Sequence, residues 1–175
     1  MAQKESLASL ELLYNISREL ASALDLRTVL TRLVIQSLKY VGGERGSLVV
    51  FDDKGNPVDA AIVIGLQVHG QKTQLLRETT EHGLAGWVIR NRKSTWVPDT
   101  SKDERWLQRP DDAVDKSGPK SALCVPLLAR EQLVGVLTLV HPTPNAFNQD
   151  HFDLIQVIAD QAGISILNAR LYAES

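Results

Sequence analysis

The residues best placed to bind an anion lie at a turn bracketed by two glycines. Gly83 and Gly86 allow the chain to turn tightly into a helix, which leaves the backbone N–H groups of Leu84 and Ala85 available as donors. Two glycines also simply permit close packing, and no phosphate-loop motif accompanies them. We favour the packing interpretation and keep Leu84 and Ala85 as candidate ligand-binding residues.

A polar stretch further along the chain carries a second group of candidates. Asp99 follows a proline and suits either a polar ligand or the cap of a helix at Thr100. The charged run from residue 103 to 105 is more typical of a solvated surface. Trp106 differs, because a large aromatic side chain in a polar loop is expected to bury itself or to stack on something. Asp99 and Trp106 are therefore candidates, and we favour core packing as the role of Trp106.

Small polar residues at strand ends form the third group. Ser47 and Ser121 each begin a predicted strand, and each could supply a hydrogen bond inside an apolar pocket. Strand alternation places Leu123 on the same face as Ser121. Serines at strand ends commonly form turns, so that local role is the alternative. Ser47, Ser121 and Leu123 complete the predicted ligand-binding set.

Catalytic and metal chemistry find little support in the sequence. Cys124 is the only cysteine, which excludes a disulfide within the chain and a cysteine-rich zinc site. We interpret it as a buried structural residue. The four histidines have no metal-type spacing, and no nucleophile–base pair, phosphate loop or paired carboxylates point to a reaction. The sequence therefore predicts no enzyme and no metal site.

Composition narrows the partners. The chain has 175 residues, of which 43% are hydrophobic, and its 19 Lys and Arg against 21 Asp and Glu give a net charge of −2. This balance argues against a nucleic-acid footprint. No apolar run approaches the roughly 20 residues that cross a bilayer, and the first residues contain no signal-peptide core. We expect a cytoplasmic protein without nucleic-acid or membrane partners.

The pattern of apolar residues and breakers predicts the elements that must position these candidates. Three-and-four spacing indicates helices, and β-branched runs bounded by turn residues indicate strands. The helices are predicted over residues 7–24, 26–40, 83–92 and 149–172, and the strands over 47–51, 58–66, 121–128 and 132–141, with an extended stretch at 94–99 and a polar excursion at 100–120. Asp25 is placed to cap the second helix, Gly42 and Gly43 to end it, and Pro126 suggests a bulge or a strand edge.

This order predicts an α+β fold with a central antiparallel sheet of about five to six strands. We expect the N- and C-terminal helices to pack on one face, and short helices and loops to cover a pocket on the other. Residues 1–24 are predicted to form an N-terminal helix suited to a dimer contact or a linker. Residues 25–175 are predicted to form the main domain, which ends in a long helix at 149–174.

At this point the sequence resembles the GAF domain family, the small-molecule sensing module of bacterial signalling proteins, whose fold is related to PAS-type sensors. The likeness covers about residues 10–175. It lies in residues 81–88 (EHGLAGWV), 97–99 (VPD) with 103–106 (DERW), 121–127 (SALCVPL) with 135–137 (GVL), and Phe147, Asp150 and 168–172 (NARLY) of the last helix.

The resemblance implies a small ligand without naming it. A cyclic nucleotide or another small metabolite is the candidate, although residues 145–151 (NAFNQDH) lack the Lys and Glu of the signature found in cyclic-nucleotide-binding relatives. Bilin attachment is disfavoured because Cys124 lies in a strand without an adjacent histidine. Haem is disfavoured as well, and one cysteine cannot perform the disulfide chemistry of relatives that reduce free methionine sulfoxide. No cofactor is therefore assigned.

The resemblance also implies a role. The leading hypothesis is a sensor whose ligand binds between the sheet and a lid of residues 67–120, and whose C-terminal helix relays occupancy. In relatives this helix continues into a dimer and an output domain, so we expect a homodimer through the terminal helices and a fragment of a larger protein. The output would be a sensor histidine kinase, a cyclase or phosphodiesterase, or a transcription regulator. The alternatives are a ligand-free dimerisation and relay module, with its pocket plugged by Trp96, Trp106 and Leu123, and a small enzyme of this fold.

Overall fold

A computed structural model describes residues 2–21, 25–65, 67–69, 83–106 and 118–174. Its helices are α1 (Ala2–Leu20), α2 (Leu26–Val41), α3 (Gly83–Asn91) and α4 (Gln149–Glu174). Its strands are β1 (Arg45–Phe51), β2 (Pro57–Ile64), β3 (Gln67–His69), β4 (Thr95–Val97), β5 (Ser121–Ala129) and β6 (Gln132–His141). A 3-10 turn, Thr100–Lys102, follows β4. Residues 70–82 and 107–117 of the predicted lid, and 22–24 of the predicted first helix, lie outside the described residues.

The strands in the described part of the chain form one six-stranded sheet in the order β3-β2-β1-β6-β5-β4. Every neighbouring pair is antiparallel. The predicted α+β class with a central antiparallel sheet is therefore confirmed. The centre of the sheet is β1 against β6, so residues at the start of β1 lie beside residues at the end of β6.

The long helices cover one face, which we call the helix-layer face. Side chains of α1, α2 and α4 form a single buried cluster with one set of alternating strand residues. The strand members of that cluster are Leu48, Val50, Ala61, Val63, Leu123, Val125, Leu127, Ala129, Val134, Leu137 and Leu139. All three predicted terminal helices therefore pack on the same side of the sheet, as expected.

The short helix α3 covers the opposite face, which we call the α3 face. Leu84, Ala85 and Val88 of α3 are buried in a second cluster with the other set of strand residues. Those strand residues are Val49, Phe51, Ala60, Ile62, Val97, Ala122, Cys124, Val136 and Val140. The sheet therefore has two unlike sides, one clamped by long helices and one covered by α3 and the segments near it.

Local capping follows the predicted chemistry at both ends of α2. The Asp25 carboxylate accepts a hydrogen bond from the Thr28 backbone N–H at 3.3 Å. Gly42 has a positive φ of 76° and its N–H donates to the Leu38 carbonyl, which ends the helix. Asp25 therefore fixes where α2 begins, and Gly42 turns the chain towards β1.

Two elements differ from the sequence prediction in detail. The stretch expected only to be extended forms the edge strand β4, which pairs with residues 122–124 of β5. Because β4 is three residues long, Pro126 lies beyond its end, where no ladder donor is needed on that side. The return strand predicted over residues 58–66 corresponds to β2, which ends at Ile64, and β3 (Gln67–His69) forms in a stretch for which no strand was predicted. No helix within the described residues is long and apolar enough to span a membrane.

Candidate functional site

A row of small polar side chains crosses the α3 face. Ser47 of β1 lies directly opposite Thr138 of β6, Thr138 lies opposite Cys124 of β5, and Cys124 lies opposite Thr95 of β4. Residues directly opposite each other in antiparallel strands point to the same face. Because neighbouring strands lie about 4.8 Å apart, this row is about 14 Å long. We call these four residues the polar row.

The polar row places hydrogen-bonding groups on an otherwise apolar face. Cys124 Sγ and Thr138 Oγ1 are 3.3 Å apart and form one hydrogen bond. Ser47 and Thr95 are only 8% and 7% exposed. A hydroxyl can both donate and accept a hydrogen bond, so Ser47 and Thr95 are the groups of this row that would contact a polar molecule bound on this face.

Cys124 itself is not a reactive thiol. It is fully buried within the α3-face cluster. Burial raises the pKa of its thiol to about 12, and the nearby Thr138 hydroxyl and Arg105 only partly offset this effect. The thiol therefore stays protonated near neutral pH and is a poor nucleophile. This agrees with the interpretation of Cys124 as a structural residue.

A cation and an aromatic ring lie next to the polar row. Arg45 begins β1, two residues before Ser47, so both side chains leave the strand on the α3 face. Its guanidinium lies 5.6 Å from the centroid of the Trp106 ring. Arg45 is 7% exposed, and Trp106 is half-buried and packs against the α3-face cluster. This cation–π contact closes one end of the row.

A second cation–aromatic pair fastens the neighbouring segment to α3. The Arg105 guanidinium lies 4.5 Å from the centroid of the Trp87 ring. The same guanidinium donates two hydrogen bonds to the Asp103 carboxylate, at 2.9 and 2.6 Å. The hydrogen bonds from Arg105 lower the pKa of Asp103 below its usual value of 3.8, although partial burial opposes them. The carboxylate is therefore charged at neutral pH and holds Arg105 over α3.

Two further contacts fix this segment to the sheet. The Lys120 backbone N–H donates to Thr100 Oγ1 at 2.9 Å, and the Thr100 N–H donates to the Lys120 carbonyl at 2.8 Å. Lys120 Nζ, which is buried, lies 2.5 Å from Glu44 Oε1 just before β1. The 3-10 turn and the starts of β1 and β5 are thereby held together at the Arg45 end of the sheet.

Asp99 serves as a cap. Its carboxylate accepts hydrogen bonds from the Ser101 N–H at 3.0 Å and from the Ser101 hydroxyl at 2.6 Å. The Ser101 hydroxyl is the main cause of a lowered Asp99 pKa. Of the two roles that the sequence leaves open, capping of the turn at Thr100 is the one that the geometry displays.

The seven predicted ligand-binding residues do not share one site. Ser47, Leu84, Ala85 and Trp106 meet on the α3 face, and Asp99 caps the adjoining turn. Ser121 and Leu123 lie on the helix-layer face. The Ser121 hydroxyl donates to the Thr143 carbonyl at 2.7 Å, and Leu123 is buried in the cluster that includes α4. The sheet separates these two from the other predicted residues, so we do not carry them into the candidate site.

Sequence reasoning missed Arg45, Thr138 and Thr95. Arg45 could have been found from Ser47, because residues two apart in a strand share a face. Thr138 and Thr95 could not, since their alignment with Ser47 depends on the register between strands that are distant in sequence. The described residues contain no group of three or more His, Cys, Asp and Glu side chains that could hold a metal ion.

Known proteins resemble this chain over most of its length. A family model described as "GAF domain" matches residues 10–166. A probable 3′,5′-cyclic phosphodiesterase of Caenorhabditis elegans is 26% identical over 153 residues, which is 82% of this chain and 21% of that protein. The chain therefore spans about a fifth of the length of this curated relative.

Solved structures share the fold at low sequence identity. The GAF domain of a phosphoenolpyruvate-protein phosphotransferase from Coxiella burnetii has a TM-score of 0.74 and 18% identity, covering 97% of this chain and 98% of that one. A free methionine-R-sulfoxide reductase from Neisseria meningitidis, in complex with its substrate, has a TM-score of 0.70 and 15% identity, with coverage of 97% and 93%. The fold is therefore shared with the GAF domain of a phosphotransferase and with a free methionine-R-sulfoxide reductase.

Proposed function

The chain belongs to the GAF domain family, and we propose that it is a regulatory module that senses a small molecule and relays its occupancy through α4 to a covalently attached output domain. GAF domains occur in signalling proteins, and the match to a fraction of a much longer phosphodiesterase fits a module within a larger chain. The ligand would bind on the α3 face, beneath the lid of residues 67–120. We expect this module to act in the cytoplasm.

The observation that supports sensing is the buried polar row beneath α3. The surrounding strand residues on this face are apolar, and most of the described segments near it pack tightly. Ser47 and Thr95 place hydroxyl groups among these apolar side chains, and a polar molecule bound on this face would hydrogen-bond to them.

The relay would use β5, because this strand contributes to both faces. Ala122 and Cys124 face α3, whereas Leu123 and Val125 face the long helices. Helix α4 approaches this strand closely at Gly163, where an added Cβ would lie 3.2 Å from the Leu128 carbonyl oxygen. A shift of β5 on ligand binding would therefore displace α4 directly.

A second link joins α4 to β1. The Arg170 guanidinium donates a hydrogen bond to the carbonyl of Phe51, whose side chain belongs to the α3-face cluster. The ring of Phe51 therefore lies on the α3 face, where the ligand is proposed to bind, and its backbone carbonyl contacts α4. We propose that this contact and the Gly163 contact together set the pose of α4.

A homodimer through the terminal helices completes the proposal. Leu7, Leu10 and Tyr14 form an exposed apolar stripe on α1 with three-and-four spacing. Val157, Ile164 and Leu171 form a second exposed stripe on α4, spaced by seven residues. We expect Ile164→Asp to convert a dimer to a monomer in sedimentation velocity, and the matched exposed change Ala169→Asp, on the opposite side of α4, to leave the dimer intact. A wild-type protein that stays monomeric at high concentration would contradict this part.

Thermal-shift screening tests the sensor role. A ligand at 100 times its dissociation constant stabilises the fold by about 2.7 kcal/mol, which corresponds to a rise in Tm of about 5–10 °C for a domain of this size. The panel contains cyclic nucleotides, purines, amino acids and small carboxylates. Hydrogen exchange of α4 with and without a hit then tests the relay. If no compound raises the Tm, the ligand-free relay becomes the better proposal.

The ligand-free alternative has one specific argument in its favour, which is that Trp106 already covers Arg45. The other two residues predicted to fill the pocket, Trp96 and Leu123, do not lie on the α3 face. Trp96 stacks on Phe152 of α4 with ring centroids 5.9 Å apart, and Leu123 also packs on the helix-layer face. An enzymatic role gains no support from Cys124, because its thiol is buried and protonated.

A further inference from the structure

We propose that the edge strand β4 and helix α4 are joined by a hydrogen-bond switch with two positions, in which the side-chain oxygen of Gln156 exchanges between the Ser94 hydroxyl and the Trp96 indole N–H. This inference goes beyond the sensor function and does not depend on it. It rests on three features of the described residues: a buried indole N–H without a partner, an acceptor beside that indole, and a strand whose side chains reach both faces of the sheet.

The first feature is the indole of Trp96. Its Nε1 atom is buried and has no hydrogen-bond partner among the described residues. The ring itself is well packed, because it stacks on Phe152 of α4 with ring centroids 5.9 Å apart and joins the buried cluster of the helix-layer face. The indole nitrogen can only donate, and a buried donor without an acceptor has lost its bond to water without replacing it. A rearrangement that brings an acceptor to Trp96 would therefore be favourable.

The second feature is an acceptor beside this ring. The Ser94 hydroxyl donates a hydrogen bond to Gln156 Oε1 at 2.8 Å. Ser94 and Trp96 are two residues apart in an extended segment, so their side chains leave on the same face about 7 Å apart. Their partners on α4, Gln156 and Phe152, are four residues apart, which places their Cβ atoms about 5–6 Å from each other. The two contacts are therefore neighbours, and a turn of the Gln156 side chain would bring its oxygen to the indole.

The two positions satisfy one buried or partly buried donor each. In the structure Ser94 is bonded and the Trp96 indole is not. In the other position the indole would be bonded, and the hydroxyl of the partly buried Ser94 would bond to water instead. One acceptor thus has two competing donors, so a small displacement of the strand along α4 is enough to decide between them.

The third feature is the position of β4 in the sheet. This strand lies at one edge of the described sheet and pairs with β5 through three residues. Thr95 and Val97 face α3, whereas Trp96 faces α4. A short edge strand is held on one side only, so it is displaced more easily than the central strands. A change on the α3 face would move Ser94 and Trp96 relative to Gln156, and the switch would pass that movement to the N-terminal half of α4.

Nuclear magnetic resonance of the indole N–H groups tests the switch without any ligand. The chain has three tryptophans, and the indole signal that is absent from Trp96→Phe belongs to Trp96. Ser94→Ala removes the competing donor, so Gln156 should turn to the indole. We expect the Trp96 N–H signal to move downfield and its exchange with solvent to slow about fivefold, as one added hydrogen bond would cause. The double variant Ser94→Ala, Gln156→Met has no such acceptor and should restore the wild-type signal.

A matched control is available on the same helix. The Ser17 hydroxyl of α1 donates to Gln161 Oε1 at 3.0 Å, which is the same pair of side-chain types. Gln161 follows Gln156 by five residues and therefore lies about 140° around α4 from it. Ser17→Ala should leave the Trp96 signal unchanged. Hydrogen exchange of the backbone amides of residues 152–158 gives a second readout, which should change in Ser94→Ala and not in Ser17→Ala.

Three results would contradict the inference. An indole signal that is the same in Ser94→Ala and in the wild type would overturn the switch. A slowed exchange that persists in the double variant would also overturn it, because the acceptor would then not be Gln156. A bonded indole with unchanged amide exchange in α4 would overturn the link to that helix. None of these measurements involves a ligand, so a failed switch leaves the sensor function standing, and a failed ligand screen leaves the switch standing.

Discussion

Replacing Gly135 by alanine should destabilise the sheet at the pairing that positions Arg45 and Ser47. A Cβ at Gly135 would lie 2.7 Å from the Val49 carbonyl oxygen of β1, and 3.4 and 3.6 Å from Leu127 side-chain atoms. An ordinary contact is at least 3.4 Å, so β1 and β6 would have to separate by about 0.7 Å at the centre of the sheet. Forced contacts of this kind cost about 1–3 kcal/mol, and a rigid backbone atom favours the upper part of that range.

One effect opposes this cost. Gly→Ala lowers the entropy of the unfolded chain, which stabilises the fold by about 0.4–1 kcal/mol. We therefore expect a net loss of about 2 kcal/mol, seen as a fall in Tm of about 4–8 °C. Gly118→Ala is the matched control, because no atom lies within 4 Å of the added Cβ, and its Tm should stay the same or rise slightly. Equal Tm values for the two variants would refute the close-approach argument.

Three further predictions concern residues of the two faces. Leu123→Ala should cost about 2–5 kcal/mol in denaturant unfolding, because Leu123 is buried among the long helices; ligand affinity of the folded variant should not change, and a selective loss of affinity would restore Leu123 to the site. Cys124 should react with a thiol reagent only as fast as the protein unfolds, since burial raises its pKa to about 12, whereas rapid labelling of the native protein would contradict its packing. Asp103 has a pKa lowered below 3.8, chiefly by Arg105, so its stabilising effect is present above that pH and is lost as the pH falls through the lower folded value. The Tm advantage of the wild type over Asp103→Asn should therefore be largest near neutral pH and vanish in strong acid, and an advantage independent of pH would argue against the ion pair.

The elements were predictable because their signals are local. Apolar spacing gives the helices, and capping side chains such as Asp25 and glycines such as Gly42 mark their ends within one turn of the chain. The fold class follows from the order of elements and the short links between strands. The α3 helix and the two strands after the lid were found for the same reason.

The composition of the site was less predictable because it depends on register. Alternation correctly groups Ser121 with Leu123, but only the packing of α4 decides that this group faces the helices. Ser47 meets Thr138 and, two strands further, Thr95 through three pairings between distant segments. No single stretch of sequence shows how these strands are aligned. Arg45, by contrast, could have been placed beside Ser47 from the two-residue repeat of a strand alone.

Val157, Ile164 and Leu171 are spaced by seven residues and therefore lie on one side of α4. A dimer contact through this side would fix the rotation of α4 about its own axis. Each residue added to a continuous helix turns everything beyond it by about 100°, while seven residues bring it back to within about 20°. A domain fused rigidly to α4 would thus be presented at an angle set by linker length. If the linker after α4 is helical and is lengthened one residue at a time, regulation of the attached domain by the ligand should be lost at intermediate lengths and recovered when seven residues have been added.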